Sequence, residues 1–98
     1  MYSIRKDTEV YLVEDFAADK YVMSVTKLYS GKETSGHRHN HDELYYIAAG
    51  NGILIIDNLQ VNIQAGEFMH IQANQFHKVI NIGDKTLLFV CAWHQNNY

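Results

Sequence analysis

Within seven residues, His37-Arg-His39-Asn-His41-Asp-Glu43, the chain places three of its six histidines and a carboxylate. In extended backbone, side chains two apart share a face, so His37 and His39 point the same way and Glu43 keeps their parity. Imidazole nitrogens and a carboxylate converging on one point are what a borderline divalent metal needs. The segment then runs into Leu44-Tyr-Tyr-Ile-Ala48, an apolar strand-forming run. A chain organised around this stretch is expected to be a β scaffold that carries a metal site.

The remaining residues support the β reading. Tyr21-Val-Met-Ser-Val-Thr-Lys-Leu-Tyr29 is rich in β-branched and aromatic residues and ends at Ser30-Gly31, as a strand does. Gly50-Asn51-Gly52 is a turn signal between the 44–48 strand and a third strand, Ile53-Leu-Ile-Ile56. Asp57-Asn58 suits a two-residue hairpin turn with left-handed angles tolerated at both positions. Leu59-Gln-Val-Asn-Ile-Gln64 alternates apolar and polar, the pattern of a half-buried strand. Glu67–Ile71, Phe76–Ile80 and Thr86–Trp93 complete a set of seven or so strands. Residues 9–13 fit an edge strand or a short helical turn, and periodicity does not choose between them. Short strands spaced by turn signals, with no long helical pattern, predict an all-β sandwich or barrel made of one domain over residues 1–98.

Composition narrows the function. Nearly half of the 98 residues are apolar (47%), enough for a real core. The net charge is −3, and the eight basic residues form no run; a row of phosphates would go unneutralised, so no nucleic-acid partner is expected. No apolar stretch approaches a membrane span, and the polar opening Tyr2-Ser-Ile-Arg-Lys-Asp lacks the apolar segment of a signal peptide. Cys91 is the sole cysteine, which favours a reducing, cytoplasmic location over a disulfide scaffold.

The spacing of the histidine stretch resembles the cupin family. Gly31, five residues, His37, one, His39, three, Glu43, six and Gly50 reproduce the first cupin motif. Gly66, five residues, Gln72, one, Asn74, two, His77, three and Asn81 resemble the second, with glutamine where the family usually has proline and asparagine where it has glycine. Both departures fall in a turn, and asparagine tolerates left-handed angles. The resemblance implies a small antiparallel β-barrel, a jelly roll, with one divalent transition metal per chain (Fe, Mn, Ni, Co or Zn) held near its mouth. It also implies His37, His39, Glu43 and His77 as ligands, and a homodimer. The stretch is similar, too, to the sensor half of arabinose-type transcription regulators, which carry a helix-turn-helix module after the barrel.

Three imidazoles and a carboxylate on a six-coordinate ion leave two positions open, as a catalytic site requires. A small oxygenated metabolite could chelate there. Isomerase or lyase chemistry on a sugar or uronate, and dioxygenation, both fit. A non-catalytic, metal-assisted sensor for a sugar or acid is the alternative, and an empty barrel with inherited histidines a third. Tyr45 continues the Glu43 face and could donate to a substrate oxygen, or simply pack in the core. His41 is expected at the mouth, as a supporting residue or as a substitute ligand. Ile47, on the same face as Glu43 and Tyr45, is expected to line the cavity with Tyr45; Phe76, Val79, Phe89 and Trp93 read as core or cavity wall, Cys91 as a small buried hydrophobe, Asp42 as solvated, and His70 and His94 as surface or satisfied core histidines.

Overall fold

Alternation along single strands decides which residues face inward. In Tyr21–Leu28 the buried side chains are Val22, Ser24, Thr26 and Leu28; in Glu43–Ala49 they are Glu43, Tyr45 and Ile47. Each set is every second residue, as a pleated strand with one covered face demands. The computed structural model describes residues 1–95. Nine strands follow in order: β1 (Tyr2–Asp7), β2 (Tyr11–Ala18), β3 (Tyr21–Leu28), β4 (Glu43–Ala49), β5 (Asn51–Ile56), β6 (Leu59–Gln64), β7 (Phe68–Ile71), β8 (His77–Ile80) and β9 (Leu87–His94). No helix occurs among the described residues, so none is long and apolar enough to cross a membrane.

The strands form two antiparallel sheets, β1-β2-β3-β9-β4-β7 and β6-β5-β8. Leu28, Ile47, Leu54 and Leu87, each with no exposed surface, fill the space between them together with Ile63, Ile71 and Phe89. Fully burying one such side chain contributes about 1.5–3 kcal/mol, so the apolar end of the barrel carries the stability and frees the other end for polar groups.

Gly50-Asn51-Gly52 turns the chain as expected, and the turn leads from one sheet to the other: β5 starts at Asn51, and β4 and β5 lie in different sheets. Gly50, at φ +89°, turns the chain from one sheet to the other, a left-handed angle that glycine adopts without strain. Its packing explains the short corner as well, because a Cβ there would sit 2.9 Å from the carbonyl oxygen of Thr86. β1 was not anticipated. All six of its residues are exposed; it is an edge strand held by its ladder to β2, and it leaves no apolar alternation to read. Of residues 9–13, Tyr11–Val13 open β2, an eight-residue strand, while Glu9 and Val10 lie in the bend before it. The Asp57-Asn58 turn joins β5 to β6 as expected, but only Asp57 is left-handed (φ 52°). Asn74, at φ 69°, takes the left-handed position the motif reserves for glycine.

Asn81, the last residue of the second motif, is buried and fully used. Its Nδ2 donates to the carbonyls of Leu28 (2.9 Å) and Lys85 (2.8 Å), and its Oδ1 accepts from the Gly83 N–H (2.9 Å). One side chain thereby ties the end of β3 to the β8–β9 turn. Replacing it by alanine strips partners from two carbonyls and an N–H. Asn81→Ala is expected to lower unfolding free energy by about 1–3 kcal/mol, read as a lower denaturation midpoint with an unchanged denaturant slope.

Candidate metal centre

The segment between β3 and β4 lies along the free edge of β8. Thr34 N–H donates to the Val79 carbonyl (2.9 Å), and the Thr34 hydroxyl accepts from Val79 N–H (2.9 Å). His37 and His77 then exchange two backbone hydrogen bonds, of 3.2 and 3.0 Å, an antiparallel bridge between the two motifs. Gly36 permits the approach: a Cβ there would overlap the Phe76 ring.

The side chains converge as a result. Ring centroids of His37 and His39 are 4.3 Å apart, those of His37 and His77 4.7 Å, and those of His39 and His77 5.4 Å. One nitrogen from each of these three imidazoles lies within 4.8 Å of the others, a spacing that can hold a metal ion. Glu43, at the start of β4, sends Oε2 to 3.0 Å from His77 Nε2 and 4.0 Å from His39 Nε2.

Hydrogen bonding behind the rings fixes which nitrogen faces the cluster. His77 Nδ1 lies 3.0 Å from the Gln75 carbonyl, and His37 Nδ1 lies 3.1 Å from the Ser35 carbonyl. A carbonyl only accepts, so both Nδ1 atoms carry protons and both neutral rings turn an Nε2 lone pair to the cluster. Such a backbone acceptor behind the ring is the usual support of a metal-bound histidine. At the centre, His77 Nε2 and Glu43 Oε2 are both buried without a hydrogen-bond partner. Two lone pairs facing each other at 3.0 Å repel, unless a proton or a cation lies between them. The donor set and these orphaned atoms fit a divalent transition ion.

Protonation follows the same geometry. Burial lowers the pKa of His37 and of His39, and the neighbouring imidazoles add to it, Glu43 only partly opposing. For Glu43, burial would raise the pKa, but the imidazoles of His77 and His39 outweigh it and hold the carboxyl below its ordinary value. Burial likewise works against a charged His77, yet Glu43 and the Gln75 carbonyl prevail and raise it. In the metal-free centre the pairing with Glu43 thus favours a proton on His77.

The other anticipated residues separate. Tyr45 is buried, pairs with Cys91 across β4 and β9, and stacks on Phe89 at 5.6 Å. Burial first, then the neighbouring Cys91 and the charge of Glu43, push its hydroxyl well above the ordinary tyrosine value. His41 lies outside the three-imidazole cluster; its ring stacks between His39 (4.9 Å) and Trp93 (5.6 Å), and its Nε2 is buried without a partner. Ile47 belongs to the core and not to the cavity wall, and Phe76 packs at Gly36 instead. His70 is half-exposed and bonded to Asp42 Oδ2 (2.8 Å). A cavity of about 280 Å³ opens over His37, His39, Glu43 and His77. Its wall also carries Arg5, Lys6, Ser24 and Thr26, which the sequence did not single out.

The sequence model of the cupin domain matches residues 24–93, most of the chain. The chain belongs to the cupin family. The uncharacterized protein MJ1618 of Methanocaldococcus jannaschii is 34% identical over 63 residues, 63% of this chain and 50% of that protein. The transcriptional activator RhaR of Shigella dysenteriae is 26% identical over 72 residues, 74% of this chain and 26% of the activator. This cupin chain thus spans half or less of the length of these curated relatives. Among solved structures, the Lactobacillus farciminis oxalate decarboxylase formate complex superimposes with a TM-score of 0.87 at 22% identity, over 95% of this chain and 31% of that one. At that identity the likeness establishes the jelly-roll fold.

The proton on His77 gives a test that needs no metal. Glu43→Gln removes the charge that holds His77 protonated, so the His77 ring of the metal-free protein is expected to titrate at lower pH, followed by proton NMR. An unmoved His77 titration would contradict the pairing. Metal binding in turn requires neutral imidazoles. Because His77 is raised, proton competition should set in on the alkaline side of about 6.5 and weaken binding progressively as pH falls, measured by competition with a chromophoric chelator.

Proposed function

We propose that the chain is a metal-dependent enzyme acting on a small oxygenated metabolite, with one divalent transition ion held by His37, His39, His77 and Glu43. The observation that carries this reading is the facing pair of buried, unpartnered atoms, His77 Nε2 and Glu43 Oε2, at 3.0 Å beneath a cavity. When bound, a divalent ion with open positions supplies Lewis-acid polarisation of a chelated oxygen or, if redox-active, dioxygen chemistry. Isomerisation, lyase chemistry and dioxygenation remain within this reading.

The chain's own groups have separable tasks. His37 and His77 are oriented by the carbonyls behind them, and Glu43 offsets part of the ion's charge. Tyr45 keeps its proton throughout the physiological range, so beside the cluster it serves as a neutral donor to a substrate oxygen. Cys91, its partner across the strands, is pushed far above the ordinary thiol value, chiefly by burial, and stays an uncharged packing group. The imidazole of His41, stacked on His39, braces that ligand against Trp93.

The likeness to RhaR supports a second reading, a metal-assisted sensor that binds its small ligand without converting it. The outer face of the larger sheet exposes Phe16, Tyr21, Met23 and Leu44 around an apolar groove. A contiguous apolar patch of this kind marks an interaction site, and we assign it to a second copy of the chain. The lone buried cysteine fits a reducing, cytoplasmic setting.

Metal content separates these possibilities from an empty barrel. Protein expressed with supplemented metal is expected to hold close to one ion per chain by elemental analysis. His77→Ala should abolish or strongly weaken this uptake, and His94→Ala should leave it untouched; equal content in the two variants would refute the site. Turnover in a sugar, uronate and diketone panel favours the enzyme, and tight binding without turnover the sensor.

A further inference from the structure

Arg5 and Lys6 both line the cavity above the imidazole cluster. In a regular strand consecutive side chains point to opposite faces, so two neighbours cannot share one cavity. β1 escapes this rule by a bulge. Ile4 is opposite Glu14 and Lys6 is opposite Val13, the adjacent residue, which leaves Arg5 as an extra residue in the ladder. Bulges of this kind re-aim side chains and are enriched beside active sites.

The bulged arginine is also held in place. Its Nε lies 2.9 Å from Asp15 Oδ2, its Nη2 donates to the buried Ser24 hydroxyl at 3.1 Å, and its guanidinium sits 5.9 Å from the centre of the Trp93 ring. Nη1 takes no hydrogen-bond acceptor among the described residues, and the side chain, 46% exposed, lines the cavity. A planar fork fixed along one edge and open along another suits bidentate capture of a carboxylate. Arg5 is close enough to influence the cluster: after burial and the nearer groups, its charge depresses His37, and it opposes the rise of Tyr45 and Cys91.

Charge points the same way. Arg5 and Lys6 stand against one lining carboxylate, Glu43; a divalent ion would add two further positive charges, and Asp15 offsets only one. The cavity, at about 280 Å³, has room for about nine groups the size of a water molecule. We propose that the β1 bulge turns Arg5 and Lys6 into an anion-recognition subsite, so that the ligand is a small acid with a carboxylate at the β1 end and a chelating group at the imidazole end. This rests on the metal-site reading above and narrows its substrate class from oxygenated metabolites to acids with a distal carboxylate.

Malate and lactate form a matched probe, since both offer a hydroxy-carboxylate chelate and only malate adds a second carboxylate. Zinc-loaded protein is expected to bind malate at least about tenfold more tightly than lactate, measured by NMR titration. Arg5→Gln should remove most of that preference while leaving lactate affinity and zinc content unchanged. Lys6→Gln should reduce it by a smaller factor and serves if the arginine variant folds poorly. Wild-type protein without the preference, an Arg5→Gln variant that keeps it, or equal weakening of both acids overturns the subsite. A wild-type protein that takes up no zinc overturns the metal reading instead; the subsite is then decided in the metal-free protein, where malate and lactate but not the uncharged lactamide should shift the Arg5 and Ser24 amide resonances, and equal shifts with lactamide would refute it.

Discussion

Two backbone hydrogen bonds between His37 and His77 hold the whole site together. They join segments forty residues apart in the chain by pinning the β3–β4 connection to the edge of β8. Without this bridge the three imidazoles would belong to separate loops. With it, the ring centroids fall within 5.4 Å of one another. Gly36 and Thr34 serve the same contact, one by leaving space for Phe76 and the other by capping Val79 with its hydroxyl.

The bridge brings an electrostatic cost that defines the chemistry. Neutral imidazole lone pairs and a carboxylate oxygen face one another out of water, and burial penalises every charged form. The apolar end of the barrel, with Leu28, Ile47, Leu54 and Leu87 fully enclosed, supplies the stability against which this arrangement can persist. A proton on His77 would relieve part of the tension, and a cation bound among the three imidazoles would relieve more of it. The same cavity wall carries the two cations of β1, so the site combines a soft chelating end with a hard cationic one.

Much of this was legible in the sequence because it is local. The parity of His37, His39 and Glu43 and the glycine and asparagine turns each depend on neighbours two or three residues apart; residues 59–64 form a strand as expected, but only Ile63 is buried and Leu59 and Val61 are exposed, so the alternation did not report a half-buried face. Asn74 could be assigned a left-handed turn from its residue type alone. What could not be read depends on partners distant in sequence. β1 has no buried face, so nothing in its composition distinguishes it from a polar tail; its bulge exists only in its pairing with β2. Gly50 reads as a turn, but whether it reverses the chain within a sheet or carries it to the other sheet depends on the partners of β5, since both use the same residue. Ile47 and Tyr45 share a face, but the depth of each in the barrel depends on β5 and β9. The stacking of His41 between His39 and Trp93 likewise requires β9.

The central claim is that three imidazoles from two motifs close, with one carboxylate, on a single cation. X-ray absorption spectroscopy of the metal-loaded protein tests it most directly. The account predicts nitrogen and oxygen neighbours at about 2.0–2.2 Å with the outer-shell scattering of three imidazole rings. A bound ion whose spectrum shows no imidazole, or a single ring, would contradict it.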